Sequence, residues 1–190
     1  MRLILASASP RRLEQLARLG ITPAAVDPAE IDEAAAPNEL PLPHARRLAA
    51  EKAAAVAARH PGAVTLAADT VVAAGRRILP KAEDEATARN CLELLSGRRH
   101  RVITALTVVD AEGRARHRDS TSIVTFKRLT PTEIDHYLAA GEWRGKAGGY
   151  AIQGRAEAYV RFLGGSHSGV VGLPLYETRT LLEASGISLG

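Results

Sequence analysis

Hydrophobic positions along this chain alternate between strand-like runs and helix-like spacing. Leu3-Ile4-Leu5-Ala6 is a short apolar run and predicts a strand over 2–6. Leu13, Leu16 and Ala17 then recur at helical spacing, which predicts a helix over about 11–19 with Gly20 as its C-terminal cap. An irregular acidic stretch, DPAEIDEAAAPNELPLP, leads to an Ala-, Leu- and Arg-rich helix over 43–59. AVTLAADTVVAAG reads as a strand, a break and a second strand, with Asp69 at the end of the first β-run. Asp84 can cap a helix reaching about Ser96. RVITALTVVD and STSIVTFKRL are β-branched runs joined by polar AEGRARHRD, the pattern of a hairpin. Thr130-Pro131-Thr132-Glu133 has capping-box spacing with proline at the first helical position, so a helix to about Ala139 follows. GEWRGKAGGYAIQG predicts a glycine-rich loop running into a strand, and EAYVRFLGG another strand. Pro174 opens a last helix that Gly186 ends. Interleaved strands and helices with hairpins among them indicate a mixed-sheet α/β fold in one domain, 1–190, with room for two lobes around a shared core.

Composition narrows the classes. Apolar content of 46% and charged content of 24% are ordinary for a globular chain. Aromatic content of 4% leaves few platforms for stacking single-stranded nucleic acid. Cys91 is the one cysteine, so no internal disulfide forms, and its apolar neighbours make it a small core residue. Six scattered histidines and one cysteine give no zinc pattern. No apolar run reaches membrane-spanning length, and the N-terminal run is too short for a signal peptide, so a cytoplasmic location is expected. The net charge of +4 suits anionic ligands and plain solubility alike. Of 25 basic residues only Lys52, Lys81, Lys127 and Lys146 are lysines, which draws attention to the places where a compact ammonium is used.

ASASPRR, residues 6–12, poses an electrostatic question. Ser9 is a good N-cap and Pro10 a good first helical residue. Arg11 and Arg12 then fall in the first helical turn, where free N–H groups and the helix dipole are already electropositive. Either both guanidiniums point into water, or a bound anion turns the repulsion into attraction. The strand-to-helix corner favours the second reading, because ligands of open α/β sheets bind there.

LILASASPRR, IDE at 31–33, RLAAEKA at 47–53, AADTVV at 67–72, LSGRRHRVIT at 95–104, KAGGYAIQG at 146–154 and VVGLPLYET at 170–178 occur in that order. The series, spanning Leu3 to Thr178, resembles the Maf family of nucleoside triphosphate pyrophosphatases. The resemblance implies a two-lobed fold of inosine triphosphatase-like architecture with a central nucleotide cleft. It also implies hydrolysis of a nucleoside triphosphate to monophosphate and pyrophosphate with a divalent metal, Mg²⁺ or Mn²⁺. A homodimer is among the states it allows, and no stable nucleic-acid partner is expected. Arg11, Thr70 and Gln153 match the branch acting on dTTP and UTP, whereas a branch acting on 7-methyl-GTP carries Trp, Gln and Glu there. Modified pyrimidine nucleotides are further candidates.

On this resemblance Asp69 is the proton acceptor and a metal ligand, and Glu33 is a metal or water ligand with Asp32 as its neighbouring alternative. Ser9, Arg11, Arg12, Lys52 and Lys81 would meet phosphate; Arg11, Thr70, Lys146 and Gln153 would set base preference. Without the resemblance, Asp69 reads as a turn residue, Glu33 as a solvated loop carboxylate and Lys52 as a surface lysine. Arg98 and Arg99 read as a solvated turn, with His100 holding a loop. Ala82, Trp143 and Gly145 depart from the usual pattern, and the missing Asp at 145 removes a partner for Lys146. Two rivals remain: a nucleic-acid-binding or division-regulating protein, supported only by the pI of about 9.6, and another metal-dependent phosphohydrolase.

Overall fold

The central strand, β3 (Val64–Ala74), is rich in β-branched and small residues and is buried on both faces for most of its length. In the computed structural model, which describes residues 1–188, it sits in the middle of a seven-stranded mixed sheet. β6 (Arg99–Val109) runs antiparallel along one side of β3 from Thr65↔Val109 to Ala73↔Arg101. The other side is shared. β1 (Leu3–Leu5) pairs in parallel with Val64 to Leu66, and β4 (Arg77–Leu79) pairs antiparallel with Val72 to Ala74. Between those partners this edge of β3 has no neighbouring strand among the described residues. The opening lies at the C-terminal end of β1, where a parallel strand hands the chain to a helix.

The remaining elements close around that opening. β2 (Ala25–Val26) extends the sheet beyond β1, and β7 (Ala115–Phe126) and β9 (Val160–Gly164) extend it beyond β6. α1 (Pro10–Arg18) follows β1, and α2 (Pro41–Ala57) packs across β3 and β6 on one sheet face. α5 (His167–Val171) and α6 (Leu175–Ala184) lie over β6 and β7. α3 (Glu85–Leu95) and α4 (Pro131–Ala139) pack on each other beside the small β5–β8 pair, Lys81–Ala82 with Lys146–Ala147. One apolar cluster gathers α3, α4, Phe126, Trp143 and Tyr150; a second gathers β1, Leu16, Leu66, Leu106 and α6.

The mixed α/β expectation holds, with local corrections. β3 is continuous, and the expected break at Asp69–Thr70 does not occur. Its ladder with β6 runs through Asp69↔Ala105 and Thr70↔Thr104, so the flanking strand overrides the poor strand propensity of aspartate. The AEGRARHRD connection is shorter than expected: β7 begins at Ala115, and Asp110 closes the turn by accepting from the Glu112 and Arg114 amides. The strand expected after the glycine-rich loop is absent. Residues 152–154 turn, and Arg155–Tyr159 forms a 3₁₀ helix before β9. α2 starts at Pro41, α6 at Leu175 with Pro174 as its cap residue, and α5 has no sequence counterpart in the expected elements. The caps are as expected at α3, where Asp84 accepts from the Thr87 amide, and at α4, where Thr130 and Glu133 form the reciprocal box. Among the described residues no helix is long and apolar enough to cross a membrane.

Candidate active site

The gap beside β3 opens into a cleft of about 470 Å³. Its charged side is built from the β1–α1 corner. Ser7 is buried, and its hydroxyl oxygen accepts from the Ser9 amide at 3.2 Å and from an Arg12 terminal nitrogen at 3.0 Å. Ser9 holds the N-cap position of α1, but its side chain makes no capping bond, contrary to expectation; Ser7 accepts from the Ser9 amide instead. No acidic residue lies in the first turn of α1, so the helix N-terminus faces the cleft with Arg11 and Arg12 beside it.

Arg12 is both a ligand candidate and a clamp. Its Nε donates to the Gly172 carbonyl at 2.9 Å, and its other terminal nitrogen donates to Thr70 Oγ1 at 3.3 Å. The clamp joins α1, β3 and the α5–α6 junction. Burial lowers the pKa of both Arg11 and Arg12, and the charge of Asp69 works against that shift at Arg12. At Arg12 the cost of burying the charge is offset by donation from Nε and both terminal nitrogens.

Opposite this corner, β3 and α2 bring the carboxylates together. Asp69 is buried, as is Lys52 on α2. Lys52 Nζ lies 2.7 Å from Asp69 Oδ1 and 2.7 Å from Glu33 Oε1. Lys81, on β5, pairs with the other Glu33 oxygen. Burial alone would raise the Glu33 carboxyl, but hydrogen bonds from Lys52 and Lys81 outweigh it and hold the group at about 2. Glu33 is thus ionised and gripped by two ammonium groups. Asp32 is exposed and serves its own turn, accepting from the Ala34 amide at 2.9 Å. A second cavity, about 350 Å³, continues behind Glu33 and Asp69 toward Leu48, Val71 and Ile78.

Successive residues of a strand point to opposite faces. Asp69 faces α2, whereas Thr70 faces the other way, toward Arg12 and Thr104. Val72 and Val102 continue the Thr70 face, and with Tyr150, Val170 and Val171 they form an apolar wall of the cleft. The cleft is therefore polyionic at one end and apolar at the other, the division a nucleotide presents. Lys146, on β8, also lines it; burial, and then the charge of Arg11, lower its pKa, and its ammonium donates to the Arg144 carbonyl at 3.2 Å.

The structure thus brings together Ser9, Arg11, Arg12, Glu33, Lys52, Asp69, Thr70, Lys81 and Lys146 around one space. Gln153 is not with them. It is exposed on the turn before the 3₁₀ helix, because Gly148 and Gly149, both at positive φ, and the Gly154-to-Ala151 backbone bond fold the chain away from the expected strand. Arg98 and Arg99 are exposed as expected, and His100 is buried against Phe126 with its Nε2 2.8 Å from the Tyr150 hydroxyl. Trp143 fills a core position and donates its indole N–H to the Leu138 carbonyl. Gly145 takes φ +65 in open space. Ser7, Tyr150 and Gly172 line the cleft without having been singled out in the sequence, and Thr104, fully buried, bonds Thr70 from behind it.

A family model described as Maf-like protein matches residues 2–185. The chain is 63% identical over 188 residues to a dTTP/UTP pyrophosphatase of Rhodospirillum rubrum, covering 99% of this chain and 90% of that protein. It is 64% identical over 184 residues to a dTTP/UTP pyrophosphatase of Zymomonas mobilis, covering 97% and 91%. Among solved structures, a HAM1 protein from Coxiella burnetii superposes with a TM-score of 0.53 at 15% identity, over 97% of this chain and 99% of that one, a likeness of fold.

Proposed function

The chain belongs to the Maf family, and on that premise we propose that its cleft hydrolyses dTTP and UTP to the nucleoside monophosphate and pyrophosphate. One observation carries the reading: the buried Asp69 and the loop carboxylate Glu33 meet on a single ammonium, that of Lys52, across the cleft from an arginine-headed helix N-terminus. An electropositive corner facing paired carboxylates suits a polyphosphate that must be held and then cut.

The chemistry follows from the side chains. Ser9, Arg11 and Arg12 at the α1 N-terminus, with Lys52 and Lys81 opposite, neutralise the triphosphate and align it. Asp69 takes a proton from water as the water oxygen bonds to the α-phosphorus; the α–β anhydride bond breaks and pyrophosphate leaves. Glu33 and Asp69 would hold a divalent cation of the Mg²⁺ or Mn²⁺ type, commonly held by one or two carboxylates plus substrate oxygens, where the Lys52 ammonium they share gives way. No third acidic, histidine or cysteine ligand joins them among the described residues, so the substrate phosphates would complete the set. When bound, that cation supplies charge neutralisation at the phosphate oxygens. The apolar wall of Val72, Val102 and Tyr150 takes the nucleoside.

The test is a panel of nucleoside triphosphates with Mg²⁺, with pyrophosphate and orthophosphate quantified separately. The expected products are dTMP or UMP with pyrophosphate. Asp69→Asn should lower kcat by about 10²–10⁴-fold with an unchanged circular dichroism spectrum. Orthophosphate with a nucleoside diphosphate would instead indicate a phosphatase. No turnover together with salt-sensitive DNA binding would favour the regulator reading.

A further inference from the structure

Resting on the pyrimidine triphosphate reading above, we propose that Thr104 is a specificity-positioning residue: it locks the Thr70 hydroxyl so that only an acceptor faces the cleft, matched to the ring N–H of uracil or thymine.

The hydroxyl hydrogens can be counted. Thr104 is completely buried on β6, directly across from Thr70 in the β3–β6 register. Its Oγ1 lies 2.7 Å from the Gly169 carbonyl oxygen. A carbonyl only accepts, so the single Thr104 hydroxyl hydrogen is spent there. The Thr70 and Thr104 oxygens are 2.9 Å apart, so Thr70 must be the donor in that bond. Thr70 in turn accepts from the Arg12 terminal nitrogen at 3.3 Å. The relay has one direction: Arg12 to Thr70, Thr70 to Thr104, Thr104 to Gly169. Thr70, a residue of the cleft lining, has no hydrogen left for a ligand, and its oxygen retains one acceptor site.

The Arg12 nitrogen that donates to Thr70 carries a second hydrogen. Arg12 and Thr70 both line the cleft, and in this scheme they offer it a donor beside an acceptor. That pair complements an imide N–H next to a carbonyl, as in uracil and thymine. Cytosine presents a bare ring nitrogen at the same position, and two acceptors would oppose each other. Buried polar groups left unpaired in this way give strong discrimination. Thr104 itself contacts no ligand in this scheme; it acts through Thr70.

The experiment compares dTTP and UTP with dCTP and CTP on wild type, Thr104→Val and Thr104→Ser. Valine keeps the shape and removes the acceptor, which frees the Thr70 hydrogen to turn toward the cleft. Thr104→Val should narrow the kcat/KM ratio of dTTP over dCTP by about tenfold or more, and Thr104→Ser should restore it. A purely structural role would lower every substrate in proportion, and an unchanged ratio overturns the proposal. In case the valine variant does not fold, wild type is assayed with 3-methyluridine triphosphate, which lacks the ring N–H. Turnover about a hundredfold below that of UTP is expected; turnover equal to UTP overturns the proposal. Wild-type release of pyrophosphate from UTP is scored first. Its absence removes the functional reading and this inference together, whereas its presence with an unmoved ratio removes only the role of Thr104.

Discussion

His100 shows how far burial can move one side chain. Desolvation lowers its pKa to about 4, with a backbone interaction at Arg98 pulling the other way. Its folded value lies below the unfolded value of about 6.5. Between those two values the unfolded chain takes up a proton that the native chain does not. The resulting penalty is absent above about pH 6.5, grows as pH falls, and is complete below about pH 4. It amounts to roughly 3 kcal/mol at most. Thermal melts at pH 7 and pH 5 should therefore show a larger loss of Tm for wild type than for His100→Gln; equal losses would place the titration elsewhere.

At the scale of elements, the cleft depends on close packing between β3 and the glycine turn after β8. Gly148 adopts φ +69, and a Cβ there would sit 2.8 Å from a Val72 methyl. Gly148→Ala combines left-handed strain with overpacking and should cost about 2–4 kcal/mol. Gly145→Ala, in open space at φ +65, should cost only about 1 kcal/mol. Urea midpoints for the two variants check the difference, and KM should rise only for the first, since Val72 lines the cleft. These elements also show what the sequence could convey. β1 with α1, the capped α3 and α4, and the β6–β7 hairpin were legible, because each carries its own local signal of cap, period or turn. The break expected in β3 at Asp69 fails because the β6 ladder, remote in sequence, holds aspartate in the strand, and the side-chain partner Lys52 comes from α2. The Gln153 strand was misread because two consecutive positive-φ glycines decide the path and glycine does not announce the sign of its φ. Thr104 looked like any β-branched strand residue; only the register opposite Thr70 distinguishes it.

Across the whole molecule, the acidic stretch 27–39 lies fastened to α2 and its end. Asp27 pairs with Arg59 and His60, Glu33 with Lys52, and Glu39 with Arg47 and His44. Charge-based fastening weakens with salt, most at the partly exposed outer pairs. Limited proteolysis within 27–39 should accelerate in Glu39→Gln relative to wild type, and more so at high ionic strength; identical cleavage rates would show that apolar contacts hold the segment. Glu33 is a tethered anion already seated on the lysines that a phosphate would claim, and tethering gives it an effective concentration of about millimolar or more. An orthophosphate ion arriving there must outcompete a carboxylate that never diffuses away; on the proposed function a triphosphate, meeting several cations at once, is the stronger competitor. Any anion that reaches Lys52 and Lys81 therefore has a resident competitor.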